Sequence, residues 1–340
     1  MYSFTNDYSE GAHPRIMQAL MESNLLQSAG YGLDSYSMQA ADLIKTFANA
    51  PKAAVHFLIG GTSANLIALA AFFRPHQAVI AADTGHIAVH ETGAIEASGH
   101  KVITIAATDG KLTPDLIQPI IDTHTDEHMV QPKLVYISNT TEIGTIYTAK
   151  ELAALACYCK KNQLLLHLDG ARLGSALTAE GNDLTIEDIA ALVDSFYIGG
   201  TKNGALFGEA MVICNPGLQQ DFRYHIKQRG GMLAKGRLLG IQFLELFKDD
   251  LYFTLAAHAN KMAMKMKAAL IAKGYALLCD APSNQLFLTI PNTHLELIGQ
   301  DYTYSYCAPV DSTHSLVRFV TSWATPEDEI DRFITFLTRI

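Results

Sequence analysis

The sequence predicts an α/β protein in which a large domain with a mainly parallel sheet is followed by a small α+β domain. Between residues 54 and 214, short β-branched or apolar runs alternate with helical patterns. This alternation is typical of βα units on a parallel sheet that is buried on both faces. From about residue 275 the pattern changes to closely spaced short strands and one final helix. We therefore expect the large domain, with the N-terminal segment, over residues 1–245 and the small domain over residues 246–340.

Size and composition are those of a globular protein, since 340 residues with 49% hydrophobic and 17% charged side chains can bury a large core. A formal net charge of −9 gives no general attraction to nucleic acid or to an anionic membrane. The N-terminus has no signal-peptide pattern, and the longest apolar run, 66–73, is too short to span a bilayer. Five cysteines without a CxxC pair fit reduced thiols. We expect a cytoplasmic protein that binds neither nucleic acid nor a membrane.

Six apolar runs predict the strands of the large sheet. In chain order they are AVHFLI (54–59), QAVIAA (77–82), KVITIAA (101–107), KLVYIS (133–138), QLLLHLD (163–169) and DSFYIGG (194–200). The run EAMVIC (209–214) follows the sixth after a short loop, so we expect it to pair antiparallel with a neighbour. Residues 216–273 are predicted to be helical.

Four short runs predict the strands of the small domain. They are YALLCD (275–280), QLFLTIP (285–291), YTYSYCA (302–308) and SLVRFVT (315–321). A last helix is expected after Thr325, whose Thr-Pro-Glu-Asp opening would cap it and place acidic residues at its positive end.

A glycine-rich turn follows the first strand of the large sheet. Ligands of open α/β sheets bind at the carboxyl ends of the strands, and Gly-Gly-Thr-Ser at 60–63 stands at such an end, before a clear helix. The free N–H groups and the dipole of that helix could hold a phosphate. The segment could equally be a tight turn in which Thr62 caps the helix.

Two further strand ends carry charged residues. Asp169 ends the fifth strand, where a buried carboxylate needs a cationic partner. That partner could be Arg172, or it could be a protonated ring nitrogen, which would leave Arg172 free for a substrate oxygen. Lys202 follows the sixth strand between glycines, and a lysine of lowered pKa in such a crevice can form a Schiff base with an aldehyde. A phosphate cup, a ring-nitrogen carboxylate and such a lysine are what pyridoxal phosphate requires.

These motifs resemble those of the threonine aldolases of the β-eliminating lyase group, which are pyridoxal phosphate enzymes of the aspartate-aminotransferase-like fold (fold type I). The resemblance covers nearly the whole chain. It is carried by FTNDYSEG (4–11), YGLD (31–34), GGTSAN (60–65), DTGHIAVHETGA (83–94), TTEIGT (140–145), HLDGAR (167–172), GGTKNG (199–204) and VRFVTSWAT (317–325).

The resemblance implies roles for five residues around the cofactor. Lys202 would form the Schiff base with pyridoxal 5'-phosphate, and Asp169 would pair with its pyridine nitrogen. Gly61 and Thr62 would hold the phosphate, and the imidazole of His86 would stack on the ring.

It also implies residues that bind the substrate or complete the site. Arg172 and Arg318 would hold the substrate carboxylate, and Arg172 is also counted with the cofactor-binding residues. Asn6 and Tyr31 are expected at the substrate. Lys235 is expected to reach the cofactor phosphate of a neighbouring chain.

One departure concerns the base for the substrate hydroxyl. Thr141 stands where several family members have a histidine, so His86, acting through water, becomes the candidate, with His90 as a second one. His86 with His90 has no evident third ligand. Cys157 and Cys159 lie two apart in a predicted helix and so point to different faces. We therefore expect no metal site.

The resemblance implies aldol cleavage of L-threonine, L-allo-threonine or a related β-hydroxy-α-amino acid to glycine and an aldehyde. The same cofactor could instead serve β-elimination or transamination, because fold and lysine do not fix the chemistry. A catalytically silent protein that binds a partner is a third alternative. A homodimer or homotetramer with shared active sites is implied as well.

Overall fold

The computed structural model describes residues 1–340, which fold into alternating strands and helices. The strands are β1 (Tyr2–Ser3), β2 (Ala54–Leu58), β3 (Gln77–Ala82), β4 (Lys101–Ile105), β5 (Gln131–Ser138), β6 (Leu165–Asp169), β7 (Ser195–Gly199), β8 (Glu209–Ile213), β9 (Ala276–Leu277), β10 (Gln285–Pro291), β11 (Tyr302–Thr303), β12 (Ser305–Pro309) and β13 (His314–Val320). The helices are α1 (Pro14–Ser23), α2 (Ser35–Phe47), α3 (Gly61–Phe72), α4 (His86–Val89), α5 (Ala94–Ala97), α6 (Pro114–Thr123), α7 (Ala149–Lys161), α8 (Leu173–Leu177), α9 (Ile186–Leu192), α10 (Phe222–Gln228), α11 (Arg237–Phe247), α12 (Leu251–Ala272), α13 (Asn292–Asp301) and α14 (Glu327–Leu337).

The large sheet has seven strands in the order β2-β8-β7-β6-β5-β3-β4. Strands β7, β6, β5, β3 and β4 run parallel, and β8 pairs antiparallel with both β7 and β2. The six strands predicted from the sequence and the antiparallel seventh are therefore confirmed. Strands β3, β7 and β8 are buried along their whole length, as expected for a sheet that helices cover on both faces.

Alternate residues of the central strands enter two separate cores. In β5, Val135 and Ile137 pack in one core, and Leu134 and Tyr136 pack in the other. This alternation follows from the two-residue repeat of a strand. The second core includes residues of α3 and α10, so these two helices lie on the face to which Tyr136 points.

The small sheet is antiparallel, in the order β12-β13-β10-β9. The four predicted short strands are present, with the third divided into β11 and β12. Helix α13 is not indicated by the sequence pattern, because only Leu295 and Ile298 are buried in a mostly polar segment. Thr325 does not cap α14: the N-cap is Pro326, and Thr325 Oγ1 accepts a hydrogen bond from the Ser322 amide at 2.8 Å. The acidic first turn of α14 is present as predicted.

The N-terminal segment belongs to both parts of the molecule. Strand β1 pairs in parallel with β11, in the register Tyr2 to Tyr302. Phe4 is fully buried in the core of the small sheet. A few residues later the chain enters the cleft between the two sheets, where Asp7 is buried.

The domain boundary expected after residue 245 falls inside α11. Leu246 and Phe247 at the end of this helix pack in the core under the large sheet, and α12 continues to the small sheet, where Met262 and Met266 are buried. The division into residues 1–245 and 246–340 stays a prediction.

Three smaller features concern expectations made above. Cys157 is exposed and Cys159 is buried, so their side chains point to different faces of α7, as expected. No helix is both long and apolar enough to cross a membrane. No group of three or more His, Cys, Asp or Glu side chains could hold a metal ion.

Candidate active site

The carboxyl ends of the parallel strands bring the predicted charged residues into one cleft. Asp169 ends β6 and lies in register with Ser138, which ends β5. Lys202 follows β7 by three residues. The charges of Asp169 and Arg172 both act on the Lys202 amine. The strand-end site expected for an open α/β sheet is therefore formed from these residues.

Asp169 is a buried carboxylate that is held by neutral donors. Its Oδ1 accepts a hydrogen bond from the Ala171 amide at 3.0 Å, and its Oδ2 accepts from Asn65 Nδ2 at 3.1 Å and from the Tyr136 hydroxyl. Burial raises its pKa, but the charge of His86 and these hydrogen bonds outweigh burial and hold the pKa below the usual value. Asp169 is thus an anionic acceptor, which suits a protonated ring nitrogen.

Arg172 is paired with Asp7 and not with Asp169, so the alternative in which it neutralises Asp169 is wrong. Arg172 Nε donates to Asp7 Oδ2 at 2.7 Å, and Nη2 donates to Oδ1 at 3.1 Å. Asn284 Nδ2 donates to the same carboxylate at 2.9 Å. The two charged side chains are 9% and 1% exposed, so each needs the other. This pair keeps Arg172 in the cleft with its charge compensated.

Arg318 is a second guanidinium in the cleft, and it has no carboxylate partner. It projects from β13, and its Nη1 and Nη2 donate to Gln285 Oε1 at 3.2 Å and Ser305 Oγ at 3.3 Å. Its Nε is buried without any hydrogen-bond partner. Burial and the charge of Arg172 lower the pKa of Arg318. A partly unbonded cation that no carboxylate contacts is suited to bind an anionic ligand.

Lys202 lies in a turn that only small residues permit. A β-carbon on Gly199 would collide with the Ala171 carbonyl, and one on Gly200 would lie 2.9 Å from the Gly208 carbonyl oxygen. The side chain of Lys202 is partly buried. Burial and the Arg172 charge lower the pKa of its amine, which favours the neutral, nucleophilic form.

A chain of hydrogen bonds joins His86 to Asp169. His86 Nδ1 donates to Glu91 Oε1 at 2.7 Å, Asn65 Nδ2 donates to the same oxygen at 2.8 Å, and Asn65 also donates to Asp169. The Glu91 side chain is fully buried. Burial opposes protonation of His86, but the Glu91 hydrogen bond and the charges of Glu142 and Asp169 raise its pKa above the usual value.

The N-terminus of α3 is open, and Thr62 does not cap it. The N-cap is Gly60, no side chain caps this end, and the first hydrogen bond of the helix is donated by Ala64 to Gly60. The amides of Gly61, Thr62 and Ser63 therefore have no helical partner. The capped-turn alternative is wrong, and free amides at a helix N-terminus fit a phosphate.

Three predicted residues lie elsewhere or make other contacts. Tyr31 is 45% exposed and lines an apolar surface hollow with Met38 and Met232. Lys235 is exposed, next to Gly236 of the same hollow. Within one chain the structure does not bring Tyr31 and Lys235 to the cleft. Asn6 is next to Asp7, and its Oδ1 accepts local hydrogen bonds from the Tyr8 amide and the Ser9 hydroxyl.

Sequence reasoning missed several side chains of the cleft. They are Asp7, Asn65, Glu91, Tyr136, Glu142, Tyr197 and Glu209. Asp7, Asn65, Glu91 and Glu142 lie within the quoted motifs, so a search for partners of the buried charges could have found them. Glu209 accepts from Thr201 Oγ1 at 3.0 Å and from the Gly200 amide at 3.2 Å, and burial raises its pKa to about 8.

Known proteins resemble this chain over most of its length. The family model described as β-eliminating lyase matches residues 8–293. A low-specificity L-threonine aldolase of Pseudomonas aeruginosa is 34% identical over 331 residues, which are 96% of this chain and 94% of that protein. One of Saccharomyces cerevisiae is 23% identical over 286 residues, 83% of this chain and 72% of that protein.

Solved structures give the same result. A structure of Leishmania major threonine aldolase has a TM-score of 0.99 and 51% identity, with coverage of 100% of this chain and 99% of that one. An aspartate aminotransferase of Thermus thermophilus has a TM-score of 0.73 at 13% identity, with coverage of 100% and 91%. The predicted aspartate-aminotransferase-like fold is thus confirmed.

Proposed function

Because this chain belongs to the β-eliminating lyase family, we propose that it is a pyridoxal-phosphate-dependent carbon–carbon lyase. Its reaction is the cleavage of L-threonine, L-allo-threonine or a related β-hydroxy-α-amino acid to glycine and an aldehyde. The observation that carries the proposal is the cleft in which an anionic Asp169, the amine of Lys202 and an uncapped helix N-terminus meet. The relatives and the solved structure, which bear the name threonine aldolase, support aldol cleavage over β-elimination and transamination.

The residues of the cleft fit the cofactor. We assign Asp169 to the pyridine nitrogen, the amides of Gly61 and Thr62 to the phosphate, Lys202 to covalent attachment of the aldehyde carbon, and the His86 ring to stacking. When bound, pyridoxal phosphate supplies an electron sink for the pair left on Cα. The low pKa of Asp169 serves this sink, because an anion beside the ring nitrogen keeps that nitrogen protonated.

The two arginines would orient the substrate. Arg318, with its unbonded Nε, would bind the carboxylate, and Arg172, fixed by Asp7, would stand beside it. Two guanidiniums hold a carboxylate by charge-assisted hydrogen bonds in a defined direction. That direction sets which bond at Cα is aligned for cleavage. Asn6 is assigned to the same end of the substrate, because it is adjacent to Asp7.

The hydrogen bond to Glu91 fixes the ring of His86. The same bond raises the pKa of His86 and so favours its protonated form. We therefore assign the ring to stacking on the cofactor and not to removal of the substrate hydroxyl proton. We further propose a cytoplasmic homodimer or homotetramer in which Lys235 and Tyr31, absent from the cleft of their own chain, complete that of a neighbour. Light scattering of the purified protein tests the assembly.

The experiment that tests the function is a product assay. Purified holoenzyme given L-threonine should release glycine and acetaldehyde in equal amounts, whereas ammonia with a keto acid would contradict the proposal. Lys202→Ala should abolish both the visible absorbance of the attached cofactor and cleavage. The matched control is Lys52→Ala, at an exposed lysine, and it should retain both.

A further inference from the structure

Five carboxylates surround the cleft, and they are Asp7, Glu91, Glu142, Asp169 and Glu209. Four of them are held by the partners described above. Glu142 differs, because only its Oε1 has a partner, the Ser138 hydroxyl at 3.3 Å. Its side chain is partly exposed. Glu91 also has one unbonded oxygen, but that atom is shielded from solvent. Glu142 is therefore the carboxylate with an oxygen available to a ligand in the cleft.

The charge of Glu142 acts on four ionisable groups of the cleft. Its charge contributes to the raised pKa values of His86 and Arg172. It also counteracts the burial that lowers the pKa values of His90 and Lys202. These four groups come from the 86–90 segment and from the ends of β6 and β7. Glu142 also lines a small pocket with Tyr136 and Tyr147. Glu142 thus lies close enough to the amine of Lys202 for its charge to act on it.

The loop that carries Glu142 is fixed in place by packing. A β-carbon on Gly144 would lie 2.8 Å from Ser283 Oγ and 3.1 Å from the Gln285 carbonyl oxygen. The loop is therefore pressed against the start of β10 in the small domain. Gly144 also has a φ of +89°, which favours glycine. This packing restrains the backbone of the loop two residues from Glu142, whose carboxylate accepts from Ser138 at the end of β5.

The other candidates for a base are either engaged with a partner or more exposed than Glu142. Thr141 is engaged elsewhere, since its Oγ1 lies 2.6 Å from Thr145 Oγ1 and accepts from the Thr145 amide. His86 is bonded through Nδ1 to Glu91, which raises the pKa of the ring and favours its protonated form. His90 is exposed, and its ring lies against that of His86 at a centroid distance of 5.5 Å.

We propose that Glu142 is the catalytic base that removes the β-hydroxyl proton of the substrate, an inference that rests on the proposed function. The O–H bond breaks and its proton passes to Glu142. The oxygen electron pair forms the C=O bond of the aldehyde as the Cα–Cβ bond breaks. The pair that remains on Cα then takes up a proton to give glycine. The net change is the transfer of one proton from oxygen to carbon, so no oxidant or reductant is required.

The test compares a substrate that has a hydroxyl with one that lacks it. In the Glu142→Gln holoenzyme we expect kcat for L-threonine cleavage to fall about 10²- to 10⁴-fold, the usual contribution of a general base. Glycine has no β-hydroxyl. Its binding, followed by the absorbance of the bound cofactor, and its α-proton exchange in D₂O, followed by NMR, should stay within about threefold of wild type. Glu127→Gln, at an exposed carboxylate, is the matched control and should leave all three unchanged.

Each result decides the proposal. Cleavage by Glu142→Gln within about threefold of wild type would overturn it, as would a loss of glycine binding or exchange that matches the loss of cleavage. Partial cleavage by Glu142→Asp, which keeps a carboxylate, would support it. A wild-type enzyme that exchanges the glycine proton but cleaves no β-hydroxy amino acid would overturn the proposed function, and this role with it.

Discussion

Asp7 and Arg172 lie 165 positions apart in the chain, yet they form the most buried ion pair of the cleft. A buried guanidinium and a buried carboxylate are each costly alone, because water no longer solvates them. Together they compensate one another and add a hydrogen bond to Asn284. At the scale of single residues, the site therefore depends on partners that sequence proximity does not reveal.

The Asp7–Arg172 ion pair predicts the effect of removing one of its two charges. Asp7→Asn leaves Arg172 buried without a counterion, and we expect a loss of about 3–5 kcal/mol in the free energy of unfolding. Urea unfolding monitored by circular dichroism measures it. The comparison variant is Asp126→Asn, at an exposed carboxylate, and it should be within about 0.5 kcal/mol of wild type.

The difference in unfolding free energy between wild type and Asp7→Asn should depend on pH, because the pKa of Asp7 is shifted in the folded protein. Burial opposes ionisation of Asp7, but the charges of Arg172 and Lys202 outweigh it and lower the pKa of Asp7 below the ordinary value for an aspartate. The pair thus stabilises the protein fully above the unfolded-state pKa, and this contribution is lost as the pH falls through the lower folded-state pKa. The stability gap between wild type and Asp7→Asn should therefore narrow below about pH 4. A gap that is constant from pH 7 to pH 3 would contradict this account.

The site residues that the sequence alone predicts are those that directly follow a predicted strand. Asp169 and Lys202 follow strand runs directly, so their place at the sheet edge was predictable. The partner of Arg172 was not predictable, because it depends on how the N-terminal segment crosses the cleft. Glu91 was hidden for the same reason: its role appears only when α4 brings His86 to its carboxylate.

At the scale of elements, two helices approach so closely that one residue type is required. Helices α2 and α11 meet at Gly240, where a β-carbon would lie 2.6 Å from the Ser37 Cα. Glycine therefore allows the two helix backbones to come together. By contrast, Gly299 in α13 has nothing within 4 Å of its β-carbon position.

These two glycines give a matched pair of predictions. Gly240→Ala should destabilise the protein by about 1–3 kcal/mol, because the added methyl group has no space. Gly299→Ala should stabilise it by about 0.5–1 kcal/mol, because alanine favours the helix and meets no neighbour. Thermal unfolding of both variants checks the signs. A Gly240→Ala protein as stable as wild type would show that α2 and α11 can separate without cost.

Most helices and strands were predictable because the pattern of apolar residues within each one indicates it. The β-branched and apolar runs of the large sheet are buried on both faces, so their pattern is continuous and clear. Helix α13 was missed because little of it is buried. The cap of α14 was misassigned because Thr325 bonds to the Ser322 amide, a contact that depends on the bend before the helix.

At the scale of the whole molecule, the first residues of the chain join its two parts. Phe4 packs against Tyr302, Phe319 and Phe333 in the small core. The Thr5 carbonyl, next in sequence, accepts a hydrogen bond from Arg318 at 3.5 Å. Stability of the small sheet and placement of the carboxylate-binding residues are therefore coupled through this segment.

Removal of the Phe4 ring should reveal that coupling. Phe4→Ala is expected to lower the free energy of unfolding by about 3–5 kcal/mol, the usual cost of deleting a buried aromatic side chain. It should also raise KM for L-threonine, because Thr5 and Asp7 lose their fixed position. Leu278→Ala, at a half-exposed position of the small domain, should change neither by much. An unaltered KM in a destabilised Phe4→Ala enzyme would show that the two effects are separate.

The pairing of β1 with β11 also has a consequence for how the protein is made. Tyr2 leaves the ribosome long before its partner Tyr302 is translated. The nascent chain must therefore keep this strand unpaired until β11 has been made. The anion pocket around Arg318, which is translated later still, cannot close before then.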